Sequence, residues 1–170
     1  MSQAFVAILM GSDSDLPVMQ STIDVLTSFS IAYEVKVTSA HRTPAVTHEY
    51  VEDAEARGCK VFICAAGLAA HLAGAVAGIT TKPIIGVPVD AGPLQGMDAL
   101  LSTVMMPGGV PVATVAIGKA GAKNAGYLAA QILAVADDDL AQAVKEERHK
   151  NALAVMAKDA ALQQKLQNNQ

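Results

Sequence analysis

Five times along the chain, an apolar run too short for a helix ends in a small or polar loop and gives way to a helical stripe. That recurrence restricts the fold more than any other feature. The first run, Phe5 to Met10, is continuous and bounded by Gly11-Ser12-Asp13-Ser14-Asp15, the pattern of a strand buried within a parallel sheet. From Leu16 the apolar positions Leu16, Met19, Ile23 and Leu26 follow a helical stripe, with Ser14 or Asp15 as N-cap and Pro17 in the first turn. The unit then repeats. Ile31 to Val37 is β-rich, Ser39 to Thr43 is a loop, and Thr43-Pro44 supplies an N-cap and proline for a helix ending near Gly58. Val61 to Ala65 reads as a third strand, Ala66 to Ala70 as its loop, and the Ala-rich segment through Ile79 as its helix. Pro83 to Pro88 is a fourth strand, followed by a Gly/Pro/Asp loop and a helix near Met97 to Met105. Val112 to Ile117 is a fifth, with Gly118-Lys119-Ala120-Gly121 as a loop before a helix through about Val135. Five such units predict an α/β chain with a parallel sheet and helices on both faces. The common order of a doubly wound five-stranded sheet is 2-1-3-4-5.

At 170 residues the chain is most simply one domain. It is 52% hydrophobic but only 16% charged, with few aromatics and no Trp. This is more apolar surface than a lone domain readily hides, which predicts a homo-oligomer. The net charge of -4, without a basic cluster, leaves no footprint for nucleic acid or an anionic membrane and points to a small-molecule partner. Met1-Ser2-Gln3-Ala4 lacks the basic flank of a secretory signal, so the expected compartment is the cytoplasm. Cys59 and Cys64 belong to no metal-ligand set and are expected as free thiols, buried or half-buried. Val61 to Ile79 is long enough to cross a bilayer and carries His71 as its only charge-bearing side chain. Gly67, Gly74, Gly78 and a β-branched opening nevertheless fit strand, turn and buried helix better than one membrane helix.

Beyond Asp137-Asp138-Asp139, an N-cap cluster, helical propensity continues to about Leu166. Roughly 29 residues at about 1.5 Å each give about 44 Å, longer than a small domain is wide. Leu140, Val144, Val155, Leu162 and Leu166 form an apolar stripe, weakened in its middle by Glu146-Glu147-Arg148. The expected organisation is one domain over residues 1–170, with a core to about residue 136 and a helical arm over about 137–167 that packs on another subunit.

In a 2-1-3-4-5 sheet, strands 1, 2 and 3 are neighbours, and ligands bind beyond the carboxyl ends of strands at the switch point. The loops that follow them are Gly11 to Asp15, Ser39 to Arg42 and Ala66 to His71. The first offers amides and hydroxyls at a helix N-terminus, suited to phosphate, and carboxylates suited to sugar hydroxyls; the same residues also serve as turn and cap. Arg42 can clamp a phosphate in bidentate fashion or make a surface ion pair. His41 can act as a general acid/base, its imidazole changing charge near neutrality, or can hold the loop by hydrogen bonds. His71 lies in an almost wholly apolar stretch, as a satisfied core histidine does, although such surroundings also wall a dry pocket. His48 and His149 fall on helices among ordinary polar neighbours. There is no Walker loop, no Gly-x-Gly-x-x-Gly after the first strand and no metal-ligand cluster. Ala65-Ala66-Gly67 stands where a receiver domain needs a phosphoacceptor Asp.

With these residues assembled, the chain resembles the class I 5-(carboxyamino)imidazole ribonucleotide mutases of bacterial purine biosynthesis. The resemblance runs over nearly the whole length, through Met10-Gly11-Ser12-Asp13-Ser14-Asp15, Ser39-Ala40-His41-Arg42-Thr43-Pro44 and Ala69-Ala70-His71-Leu72. It continues in Gly86-Val87-Pro88-Val89, Met106-Pro107-Gly108-Gly109-Val110-Pro111 and Ala116-Ile117-Gly118-Lys119-Ala120-Gly121. Two departures fall in the third loop region: Leu68 where many members have a second glycine, and Ala73 where many have proline. The resemblance implies a three-layer flavodoxin-like fold, a homo-octamer, and no metal or organic cofactor. It implies an ATP-independent transfer of a carboxylate from the exocyclic nitrogen to a ring carbon of an aminoimidazole ribonucleotide, through enclosed decarboxylation and recarboxylation. His41 is then the general acid/base. Ser12, Ser14, Ser39 and Arg42 hold the 5′-phosphate beside Gly11 and Ala40, Asp15 holds the ribose, and Gly67, Ala70, His71 and Leu72 wall the pocket that keeps carbon dioxide beside the ring.

Two other functions remain open at this level. One is direct carboxylation of aminoimidazole ribonucleotide by carbon dioxide, found in class II relatives, which tend to carry lysine where this chain has Arg42 and to lack the Ala-Ala-His-Leu segment. The other is a phospho-ligand-binding module without turnover.

Overall fold

The computed structural model describes residues 4–69 and 71–168. Its chain separates into two compact units, one up to Ala130 and one from Gln131 onward. The first unit is built on β1 (Phe5–Met10), β2 (Tyr33–Val37), β3 (Cys59–Ala66), β4 (Ile84–Pro88) and β5 (Ala113–Thr114). All pairings are parallel and the order is 2-1-3-4-5, as the repeating sequence pattern predicts. The connections are α1 (Leu16–Ser28), α2 (Pro44–Ala56), α3 (Leu72–Ala77) and α4 (Met97–Val104), and α5 (Gly118–Leu133) follows β5.

Continuous apolar runs become the central strands because residues there are covered on both faces. Every residue of β1 and β4 is buried. On one face, Phe5, Ala7 and Leu9 of β1 pack with Phe62 and Cys64 of β3, Val51 and Ala54 of α2, and Leu72, Ala73 and Val76 of α3. α4 joins this face, since a Cβ on Gly86 would meet Thr103 Cγ2 at 2.4 Å and Ala73 Cβ at 3.4 Å. On the other face α1 and α5 lie against each other. Thr22 Oγ1 donates to the Ala122 carbonyl at 2.6 Å, and a Cβ on Gly126 would come within 2.9 Å of Val25 Cβ. The large apolar side chains among these, such as Leu9, Phe62 and Val51, each contribute about 1.5–3 kcal/mol on full burial, and β1 and β3 concentrate that gain under the loops that matter.

The edges depart from the sequence expectation. β5 pairs at only two positions, Ile85 with Ala113 and Gly86 with Thr114, instead of running to Ile117. Residues 118–121, expected as a loop, are the first turn of α5. The cause is a backbone approach: a Cβ on Gly121 would sit 1.6 Å from the Ala116 carbonyl oxygen, so the helix starts directly against the chain leaving the sheet. β2, the opposite edge, covers Glu34 and Lys36 better than its apolar residues. Glu34 accepts from Tyr50 Oη at 3.0 Å and from Arg57 Nη2 at 2.8 Å, while Tyr33, Val35 and Val37 are exposed.

Val61 to Ile79, the stretch with membrane-span length, divides into most of β3, a loop and α3. No helix among the described residues is long and apolar enough to cross a membrane. Cys59 and Cys64 are buried, free thiols; burial pushes Cys59 up to about 11 and raises Cys64 as well. In the second unit, α6 (Asp138–Gln167) is capped by Asp137, whose carboxylate accepts from the Leu140 amide at 2.9 Å. No residue of α6 is buried, and Val155, Leu162 and Leu166 of its apolar stripe are exposed.

Candidate active site

The loops after β1, β2 and β3 converge on one cavity of about 560 Å3, within the usual range for small-molecule sites. It is lined by Gly11, Ser12, Ser14 and Asp15 from the first loop, Ser39, Ala40, His41 and Arg42 from the second, and Gly67, His71 and Leu72 from the third. These are the residues expected from the sequence, with the exception of Ala70, which lies outside the described residues. Ala66, Leu68, Ala69 and Ala91 also line it. Ala91 comes from the loop after β4, a fourth contributor that carried no chemical signal in the sequence. Its position could be inferred only from the pairing of β4 with β3.

The first loop is tied down before it meets any ligand. The Gly11 amide donates to the Ala65 carbonyl of β3 at 3.0 Å. Ser12 caps a short 3-10 turn over Asp13–Asp15: its Oγ accepts from the Ser14 amide at 3.2 Å, and its own amide donates to Asp15 Oδ2 at 3.2 Å. Asp15 therefore serves the capping box rather than the N-terminus of α1. Its carboxyl is buried. That burial raises it above its ordinary value, the Ser12 amide lowers it, and the charge on Asp13 raises it again. An acid that is desolvated here gains from a ligand hydroxyl that can donate to it.

The second loop hangs on hydroxyls. Thr43 stands at the N-cap position of α2, yet its side chain does not cap the helix. It turns back, accepting from the Ser39 amide at 2.9 Å, and meets Thr38 Oγ1 at 3.3 Å. Thr38 Oγ1 in turn lies 2.6 Å from Thr47 Oγ1, and Thr47 donates to the Thr43 carbonyl at 3.1 Å. This relay ties both ends of Ser39–Arg42, whose His41 and Arg42 side chains line the cavity. Arg42 reaches across the cavity, its Nη2 donating to the Gly11 carbonyl at 3.3 Å. The guanidinium thus faces the serine-bearing loop, an arrangement in which an anion would find amides, hydroxyls and a fixed cation. His41 is exposed on the cavity wall.

His71 is exposed and lines the cavity, so it is no core histidine. Its Nδ1 lies 2.9 Å from the Ser102 carbonyl of α4; a carbonyl only accepts, so Nδ1 carries the proton and Nε2 is the acceptor of the neutral ring. The ring rests on Gly74, where a Cβ would be 2.3 Å from Cε1 and 2.4 Å from Nε2. Leu68 has φ +57, a left-handed backbone that costs a branched aliphatic residue about 1–2 kcal/mol. Among the described residues, no cluster of three or more His, Cys, Asp or Glu is placed to hold a metal ion.

A doubly wound parallel sheet with its cavity at the β1/β3 switch point defines a flavodoxin-like α/β protein built to take a small ligand beyond its strand ends. Within that class the chain belongs to the AIR carboxylase family, whose model matches residues 5–154. It is 55% identical over 154 residues to the N5-carboxyaminoimidazole ribonucleotide mutase of Bacillus subtilis, spanning 91% of this chain and 95% of the relative. The mutase of the same name from Thermotoga maritima is 53% identical over 159 residues, spanning 94% and 92%. The crystal structure of Treponema denticola PurE superposes with a TM-score of 0.85 at 31% identity, covering 94% of this chain and 99% of that one.

Proposed function

We propose that this chain is a 5-(carboxyamino)imidazole ribonucleotide mutase of purine biosynthesis, moving a carboxylate from the exocyclic nitrogen to a ring carbon without ATP. The observation that carries the reading is the single cavity in which His41 and Arg42 meet Ser12, Ser14, Asp15 and His71, in a chain more than half identical to enzymes of that name.

The chemistry divides into two balanced steps. The nitrogen–carboxylate bond breaks to release carbon dioxide, and the nitrogen takes up a proton. The ring carbon then attacks carbon dioxide, a carbon–carbon bond forms, and the ring carbon loses its proton. One proton enters and one leaves, so a single imidazole that starts protonated can serve both. His41 is our candidate for that group, a role worth about a hundred- to ten-thousandfold in rate. Ser12, Ser14, Ser39 and Arg42, with the backbone of Gly11 and Ala40, are assigned to the 5′-phosphate, which the reach of Arg42 toward Gly11 supports. Asp15 is assigned to the ribose hydroxyls. Gly67, Ala70, His71 and Leu72 are assigned to the wall that keeps carbon dioxide beside the ring, where holding both reactants replaces a bimolecular encounter.

Assembly and compartment belong to the same proposal. The enzyme is a cytoplasmic homo-oligomer, an octamer by the family resemblance, formed by one core domain to about residue 136 and an arm over 137–167 that packs on another copy. Uncovered apolar residues support this: Tyr33, Val35 and Val37 on β2, and Met97, Leu101, Val104 and Met105 on and after α4. A chain cut at residue 137 should lose mass in light scattering; an unchanged oligomer would remove the arm from the assembly.

The test uses the purified protein and the N-carboxylated aminoimidazole ribonucleotide, without ATP or added bicarbonate. Formation of the C-carboxylated product is followed beside His41→Asn, with the aminoimidazole ribonucleotide from unaided decarboxylation counted separately. Product from wild type and not from the variant is the expected result. Product only from aminoimidazole ribonucleotide and high bicarbonate would replace the mutase by the direct carboxylase. Binding without product by either route would leave a binding module.

A further inference from the structure

Two consecutive residues of the third loop are fitted to two of the fourth. A Cβ on Gly67 would fall 2.7 Å from Ala91 Cβ and 3.3 Å from the Val89 carbonyl oxygen, and a Cβ on Gly92 would fall 2.7 Å from Leu68 Cδ2. The Val89 amide donates to the Ala66 carbonyl at 2.9 Å just below them. Gly92 has φ +75 and Leu68 has φ +57, so a left-handed leucine rests its terminal methyl against the bare backbone of a left-handed glycine. Leu68 and Ala91 both line the cavity.

The conformation at 68 is one that glycine adopts freely and leucine only at a cost. Strain that persists at a cavity wall is a reason to ask what the side chain supplies. Leu68 provides no polar atom, cannot move a proton and is 53% exposed, so burial does not account for it. What it does provide is a branched apolar group spanning the gap between the third and fourth loops. Between the two steps of the proposed reaction the site holds carbon dioxide, a small molecule without charge that is lost by diffusion outward.

We infer that Leu68, clasped against Gly92, is a retention residue: it closes the cavity between the third and fourth loops and sets how much of the released carbon dioxide is recaptured. The inference rests on the mutase reading above. It assigns Leu68 to partition, not to binding of the ribonucleotide or to proton transfer, and this separates it from the roles of Arg42, Asp15 and His41.

The experiment follows each mole of N-carboxylated substrate to its fate, C-carboxylated product or free aminoimidazole ribonucleotide, after subtracting unaided decarboxylation. Labelled bicarbonate in the medium reports exchange of the retained carbon dioxide. Leu68→Gly relieves the strained backbone, so the variant should melt no lower than wild type and keep its KM. Its share of free aminoimidazole ribonucleotide and its uptake of label should rise on the order of tenfold, because the intermediate encounter is no longer enclosed. Leu68→Met, which restores apolar length, should return both toward wild type. Gly92→Ala, whose added methyl displaces the leucine, should leak as Leu68→Gly does.

Unchanged partition and exchange in Leu68→Gly, with wild type turning over normally, would overturn the retention role and leave the mutase reading standing. So would a Leu68→Gly variant that unfolds, or one that loses rate without leaking, since either makes the residue structural. Failure of wild type to form product would remove both readings together.

Discussion

The seating of His71 on Gly74 allows a prediction with a magnitude. In Gly74→Ala the new Cβ would stand 2.3 Å from Cε1 and 2.4 Å from Nε2 of His71, whereas non-bonded carbons sit at about 3.5–4.0 Å. The ring must retreat by about 1 Å, and its Nδ1 bond to the Ser102 carbonyl, now 2.9 Å, then stretches past the limit of a hydrogen bond. Misplacing a group by about 1 Å costs on the order of a hundredfold in rate when that group positions the reaction. Folding should hardly register the change. Alanine within α3 gains about 0.5–1 kcal/mol over glycine, and loss of one hydrogen bond removes about 0.5–1.5 kcal/mol. The expected outcome is a melting temperature close to wild type with kcat lowered ten- to a hundredfold, an order-of-magnitude range. His71→Ala supplies the second arm of a double-mutant cycle. If Gly74 acts only by seating the ring, the double variant should be no worse than His71→Ala alone. A Gly74→Ala rate within about twofold of wild type, or losses that simply add, would refute the seating role.

Asp15→Asn should melt higher near neutral pH while binding substrate less tightly. The folded-state value of Asp15 is raised, chiefly by burial, so its stabilising contribution is complete below the unfolded value of 3.8 and is lost as pH rises through the folded one. Asparagine keeps the acceptor for the Ser12 amide and abolishes that loss. A lower melting temperature at neutral pH would show that the ionised carboxylate does not carry the penalty. Thr47→Val breaks the hydroxyl relay under the His41 loop, leaving Thr38 with the 3.3 Å contact to Thr43. It should cost about 1–3 kcal/mol, seen as a lower melting temperature, together with a several-fold fall in kcat; retention of full rate would detach the relay from the placement of His41.

How much could be read in advance depended on whether burial or contact decided the outcome. β1 was legible to the residue, Phe5 to Met10, because a strand covered on both faces needs an unbroken apolar run and nothing else. β5 was not, since an edge strand with two paired positions leaves little pattern. Gly118–Gly121 looked like a loop because glycine is a poor helix former. The approach of the Ala116 carbonyl to Gly121, invisible in a linear reading, made it helical. The cavity followed from topology: once strands 1, 2 and 3 are neighbours, their loops must meet. The devices that hold it did not follow, because Thr43 reads as an N-cap whereas its hydroxyl turns back to Ser39 and Thr38, and Leu68 and Gly92 are far apart in sequence.

Those devices share a logic that bears on the chemistry. Hydroxyls, amides and bare backbone make most of the fastenings around the cavity, as in Gly11 to Ala65, Ser39 to Thr43, His71 over Gly74 and Gly67 against Ala91, while charged groups enter through Arg42 on the Gly11 carbonyl and Asp15 on the Ser12 amide. None of these fastenings uses the side chain of His41, which stands exposed on the cavity wall. A loop pinned through Thr43 and the backbone thus places the imidazole by its main chain, and leaves the ring itself to be met by whatever enters the cavity.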